Sequence, residues 1–309
     1  MKTRLAMFVA IVLALSTAAA AQAPPANRAR TSGTLRQVIP GHYVYTENNA
    51  GRLFNSGVVA AGDGVLVFDA LDSEALARSE RQAIAGVIKQ PIRYLVSSVF
   101  HDPFSKGNLA YGDVFKIGHE NYRAGLLDQM QRGQLSDEEQ RTRLPNATFR
   151  DRMTFYLGGK EIQVLYFGSA HTKGDSILFV PQDRIVYMSE VFFNDEFPNM
   201  AQGYGVAWLR VLDAVEALGA DIFVPGHGQL GKRADVIANR DAIATIHERF
   251  VKMVSEGMTL EQIRAARPSK EFDARFATEI CCSPNTVQNS TVWYQQMFNE
   301  AKAHMPAGR

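Results

Sequence analysis

The sequence predicts an α/β layered fold followed by a helical C-terminal extension. Three observations carry the prediction: a strand, helix, strand order over 53–99, two strand hairpins over 153–188, and helical patterning through most of 234–303. With 309 residues, 46% of them hydrophobic and 21% charged, the composition is that of a globular protein, neither disordered nor collagen-like. The two cysteines are the adjacent Cys281 and Cys282. They exclude a disulfide framework and a zinc ribbon, and read as partly buried thiols near a C-terminal helix.

The elements follow in order. Lys2 and Arg4 begin a short positive start, 5–15 is an uncharged apolar run, and 16–23 is a small-residue tail containing Ala-x-Ala, the layout of a secretory signal peptide. Cleavage after Ala21 is preferred to cleavage after Ala23, which would leave Pro24 first. The alternative is a membrane anchor, but the apolar run falls short of the ~20 residues that a span needs. The expectation is therefore a leader over 1–21, a disordered mature terminus over 22–34, and an exported protein, periplasmic or secreted, with no membrane span left after cleavage. Removing Lys2 and Arg4 leaves 31 basic against 32 acidic side chains, a net of −1. That balance argues against nucleic acid as a partner.

β-branched and aromatic residues mark strands over 37–46 and 53–60, and Gly62-Asp63-Gly64 turns the second into a strand over 65–69. A helix over 73–89, with Asp72 and Ser73 as cap candidates, has Leu76, Ala83, Ile84, Val87 and Ile88 at helical spacing. Strands at 92–99 and 114–118 follow, then helices over 120–141 whose charge runs read as solvated faces. Gly158-Gly159 turns the first hairpin and 181–183 the second. A helix over 206–218 presents Leu209, Leu212, Val215 and Leu218, and a short buried strand over 222–224 follows it. With no repeat and no linker after Ser32, one domain over 35–230 carries an extension over 231–309 packed on it.

Three of the seven histidines follow strands: His101, His171 and His227. Strand-end loops on one edge of a layered sheet are where side chains converge on a ligand. Their settings are Ser98-Val99-Phe100-His101-Asp102-Pro103-Phe104-Ser105-Lys106-Gly107-Asn108, Gly168-Ser169-Ala170-His171-Thr172-Lys173-Gly174-Asp175, and Val224-Pro225-Gly226-His227-Gly228. His119 reads as a structural hydrogen bonder. His42, His247 and His304 have no partner motif and are given no role.

Over about 35–230 the chain resembles the metallo-β-lactamase superfamily. The last two histidine segments match its "HTxGD" and "PGHG" blocks, and the strand ending at Asp69 is similar to its early strand ending in aspartate. The resemblance implies an αββα sandwich with a metal site at one sheet edge. The chain departs from the family's Thr-His-x-His-x-Asp-His motif. With Gly107-Asn108 aligned to the family's Gly-Asn, Ser98 stands at the threonine, Val99 at the first histidine, His101 at the second, Pro103 at the aspartate and Phe104 at the last histidine. Glu190, after Ser189, matches the later bridging aspartate.

A two-metal site takes about seven ligands, and the resemblance leaves four candidates here: His101, His171, Glu190 and His227. By family position the first three would lie nearest the first metal and His227 nearest the second. Two imidazoles and a carboxylate are a set that holds one catalytic Zn²⁺ and leaves a place for water. At most one zinc is therefore expected, with His227 and Glu190 as candidate catalytic groups and His227 either completing the set or standing behind it as a base. Val99 and Phe104 put apolar bulk where ligands would be, and Lys106 stands where the family has glycine. Two functions stay open: a one-metal hydrolase of an ester, lactone, thioester or amide, and a catalytically silent binding or partner protein that keeps the fold and cleft. Either takes a small molecule, and no protein partner is legible.

Overall fold

The computed structural model describes residues 32–49, 51–194, 196, 198, 200, 203–272 and 291–303. The candidate leader, Cys281, Cys282 and His304 lie outside the described residues. The N-terminal elements are β1 (Thr34–Ile39), β2 (His42–Asn49), β3 (Arg52–Ala61), β4 (Gly64–Phe68) and α1 (Glu74–Val87). The single strand expected over 37–46 is instead a hairpin. Pro40 offers no N–H to a ladder and Gly41 takes a φ of 81°, so the chain turns there. Helix α1 is capped by the Ser73 hydroxyl, which accepts from Leu76 N, and buries Leu76, Ala77, Glu80 and Ile84. Val87, expected on that face, is 60% exposed.

There follow β5 (Ile92–Ser97), α2 (Asp102–Ser105), β6 (Phe115–His119), α3 (Glu120–Gln131), α4 (Asp137–Arg143), β7 (Ala147–Phe149), and the hairpin of β8 (Arg152–Leu157) with β9 (Lys160–Leu165). The last group is β10 (Ile177–Val180), β11 (Ile185–Phe193), α5 (Gly205–Glu216), β12 (Ile222–His227), α6 (Arg233–Ser255), α7 (Leu260–Ala266) and α8 (Thr291–Ala303). Helix α5 buries Trp208, Val211, Leu212 and Val215, a face turned from the one expected; Leu209 and Leu218 only border it.

The sheet forks at β3. β2 pairs along one edge of it, while the other edge is shared by β4 over 57–61 and by β12 through one pair, Phe54 with His227. One wing runs β4-β5-β6-β7 and is parallel throughout; the other runs β12-β11-β10-β9-β8, with β11 and β12 parallel. Alternation then sorts the strands' side chains into layers. Leu66, Phe68 and Val96 of the first wing meet Ile162, Leu178, Val180 and Tyr187 of the second in a core between the wings. Val65, Val67 and Leu95 face the opposite way, onto α1. Ile177, Phe179, Val186 and Met188 face α5, α6 and α8. The result is an αββα arrangement, with its C-terminal helices covering the second wing.

Candidate metal centre

The ends of the parallel strands bring the expected residues to one place. His101 follows β5, Glu190 lies within β11, and His227 is the last residue of β12, which runs three residues beyond the expected 222–224. His171 comes from the loop between β9 and β10. That loop is shaped by Asp175, whose Oδ2 accepts from Thr172 N at 2.6 Å and Ala170 N at 3.2 Å while Oδ1 accepts from the Thr172 hydroxyl at 2.6 Å. A short acidic side chain folded back on its own backbone makes a rigid turn.

His101 Nδ1 lies 2.8 Å from His171 Nε2, His171 Nε2 2.9 Å from Glu190 Oε2, and His101 Nδ1 3.7 Å from that same oxygen. Those three residues are a compact set of two imidazole nitrogens and one carboxylate oxygen. A tetrahedral zinc with arms of ~2.1 Å spans ligand-to-ligand edges of ~3.4 Å, close to this triangle. Glu190 Oε2 is buried and receives no well-directed hydrogen bond, as expected of an atom shaped for another partner. The donor set therefore fits one ion.

His227 lies outside that triangle, with its Nε2 3.3 Å from the other oxygen, Glu190 Oε1. Its ring is enclosed by Phe54 at 4.6 Å, Phe104 at 5.2 Å and Phe193, stacked at 4.8 Å. Burial, then the charge of Arg52, lowers its pKa to about 4, so it is neutral at physiological pH. Burial alone would raise Glu190, but the His171 charge and contacts from three imidazoles hold its carboxyl well below the usual range. Val99 and Phe104 are both buried and join Phe54 in one cluster. The charge of Lys106 acts on Glu139 of α4.

Several supporting groups stand around the triangle. Asp69 Oδ1 and Oδ2 accept from Ser98 N and Ser98 Oγ, each at 2.8 Å, tying the end of β4 to the loop that carries His101. Burial raises Asp69 to about 7 against those bonds. Asp69, Leu71 and Ser189 adopt positive φ of 68°, 62° and 49°, so left-handed backbone gathers at the ends of β4 and beside Glu190. The sequence marks Asp69 as the end of an early strand and Ser98 as the first position of the motif, and gives no sign of the left-handed backbone at Leu71 and Ser189. His119 has the structural role expected: its Nδ1 accepts from Asn121 N and its Nε2 lies 2.6 Å from Arg150 O. His42, given no role, is held between Tyr187 Oη and Asp183.

The triangle is nearly sealed. The His171 and Glu190 side chains are 1% and 6% exposed and His101 is 20% exposed, so His101 is its face to solvent. Phe100, whose ring meets that of His101 at 4.8 Å, lines a cleft of about 560 Å³ together with Thr172, Lys173, Tyr204 and the outer residues of α3.

No family profile matches the chain. A linear primary-alkylsulfatase from Pseudomonas sp. is 24% identical over 255 residues, covering 67% of this chain and 48% of that protein. A metallo-β-lactamase type 2 from Bacteroides fragilis is 28% identical over 93 residues, 28% of this chain and 37% of that enzyme. The chain thus spans about half or less of the length of these relatives. Among solved structures, a metallo-β-lactamase from Pontibacter korlensis superposes with a TM-score of 0.60 at 17% identity, covering 69% of this chain and 99% of that one.

Proposed function

We propose that this chain is an exported hydrolase of the metallo-β-lactamase superfamily working with at most one zinc ion. The substrate class is a small ester, lactone, thioester or amide. The observation that supports this reading is the single triangle of His101, His171 and Glu190, with aromatic rings packed around the fourth candidate, His227. Relatives whose names denote small-molecule hydrolases agree with it.

His101, His171 and Glu190 would hold the ion. Zinc so bound supplies a Lewis acid that brings the pKa of water to ~7. The protein's own part is positioning. Glu190 stays ionised because three imidazoles face it, and His171 is locked by the Asp175 turn. His101 offers the one solvent-facing side. His227, neutral and packed among aromatic rings, meets Glu190 through Oε1 and stands beside the triangle, where its neutral ring either completes the ligand set or acts as a base behind it.

The near-closure of the triangle favours a second reading, a silent binding protein that uses the Phe100 cleft. Elemental analysis of protein purified without chelators, followed by assay against a panel of esters, lactones, thioesters and amides, separates the two. About one zinc per chain with turnover is the expected result. No firmly held metal and no turnover establishes the silent reading, and two firm metals per chain overturns the alignment at Val99, Pro103 and Phe104.

A further inference from the structure

We propose that Arg143, at the end of α4, is the strut that aims His101 at the metal position. The inference rests on His101 being a ligand, and it concerns a residue outside every motif that marks the site.

Arg143 is fully buried, the last residue of a seven-residue helix of otherwise polar and charged side chains. The charge runs just before Arg143, over 120–141, read from the sequence as solvated faces, yet the side chain that ends α4 turns inward. Nη2 is 2.8 Å from Asp102 Oδ1, 2.6 Å from Ser105 Oγ and 3.4 Å from Phe100 O. The Ser105 hydroxyl in turn lies 2.9 Å from both Phe100 O and His101 O. One guanidinium nitrogen thus gathers the Phe100 carbonyl before His101 and the Asp102 and Ser105 side chains after it, and these partners all belong to 100–105.

A buried cation is costly unless paired and well hydrogen-bonded, so its placement here asks for a reason. Arginine suits the task because its charge is permanent, and here one nitrogen, Nη2, reaches all three acceptors while Nε and Nη1 are buried without a hydrogen bond. The arrangement is that of a group standing behind a ligand, where loss of a single contact commonly weakens metal binding 10- to 100-fold. Arg143 contacts no ion or substrate itself and is a positioning residue.

The test compares full-length Arg143→Met, Arg143→Lys and Arg81→Met with the parent. Arg81 is an equally well-engaged arginine, bonded to Asp113 and Ala110 O away from the site. Zinc affinity is read by competition with a chromophoric chelator, and the ¹⁵N resonance of His101 Nδ1 is read in metal-free protein. The expected result is zinc binding weaker by ~10-fold or more in Arg143→Met, partial recovery in Arg143→Lys, and parental affinity in Arg81→Met. The His101 Nδ1 resonance moves toward that of free imidazole in Arg143→Met, because its contact with His171 loosens. If Arg143→Met does not fold, Arg143→Lys and Ser105→Ala are read the same way. Folded variants with parental affinity and an unmoved resonance overturn the proposal. A parent that binds no zinc overturns the hydrolase reading instead, and the metal-free resonance then decides the strut alone.

Discussion

At Glu190 three imidazoles face one carboxylate, and the way they share it decides what each substitution does. Only His101 and His171 reach Oε2 with a nitrogen, so His101→Ala and His171→Ala should each release the ion, since two remaining ligands seldom hold zinc. Elemental analysis of the folded variants checks this, and unchanged metal in both would place the ion elsewhere. Glu80 offers a separate test that does not involve metal. It is buried between the Ser56 and Tyr111 hydroxyls, and burial raises its pKa from 4.5 to about 7. In the unfolded chain it ionises near 4.5, whereas in the folded chain it keeps its proton to about 7. The folded state therefore binds more protons in that window, and the group's contribution to stability is full below it, falls as pH rises from about 4.5 to about 7, and is flat above. Glu80→Gln removes this loss, so relative to the parent the variant should gain on the order of 3 kcal/mol between about pH 4 and pH 8, read from urea melts at both. The sequence exposed the histidines and Glu190 because those types stand in recognisable order. It hid Arg143, because an arginine declares its role only when a distant loop arrives beside it, and it marked Asp69 and Ser98 by position without showing that they bond to each other.

At the level of elements, the approach of the His101 loop to the end of β4 is the tightest joint near the site. A Cβ on Gly107 would stand 1.7 Å from Ala70 O, and Gly107 N donates to Leu71 O at 3.0 Å. Gly107→Ala must push those backbones apart, and should cost ~3 kcal/mol or more and weaken zinc binding along with it. Thermal melts and chelator competition measure the two together, and a variant with parental values in both would show the joint to be slack. Strands and the two Gly-marked hairpins were legible because period-2 patterning and turn residues are local signals. The break at Pro40-Gly41 was written in the sequence as well, but aromatic and β-branched residues on both sides carried the strand reading through it. The buried face of α5 differs from the expected one because Trp208 anchors on β11, its indole N–H donating to Val191 O at 2.9 Å, while Leu209 and Leu218 border the cluster.

Across the whole molecule, the two wings and their helices form three apolar layers, and the C-terminal helices supply one of them. α6 buries Val236, Ile243, Ile246 and Phe250 in the same cluster as Phe179, Met188 and Phe223 of the second wing. A chain ending at Leu230 should therefore leave that wing uncovered and aggregate on expression, whereas a soluble, cooperatively melting product would mean that the extension is a separate unit. The proposed export is tested at this scale too: mass spectrometry of protein expressed from the full sequence should find Gln22 first, and an intact leader would point to an anchor. The fork at β3 adds a question of lifetime. β2 and β3 share eight paired positions, but β12 meets β3 at one, Phe54 with His227, reinforced by the Asn55 amide bridging Pro225 O and Gly228 O. A thinly stitched line opens before densely paired ones, and this line ends on the imidazole that steadies Glu190. On storage or mild heating, the lifetime of the folded site should thus be governed by local breathing of that seam, with amide exchange at Phe54 and His227 outpacing exchange in the strands on either side.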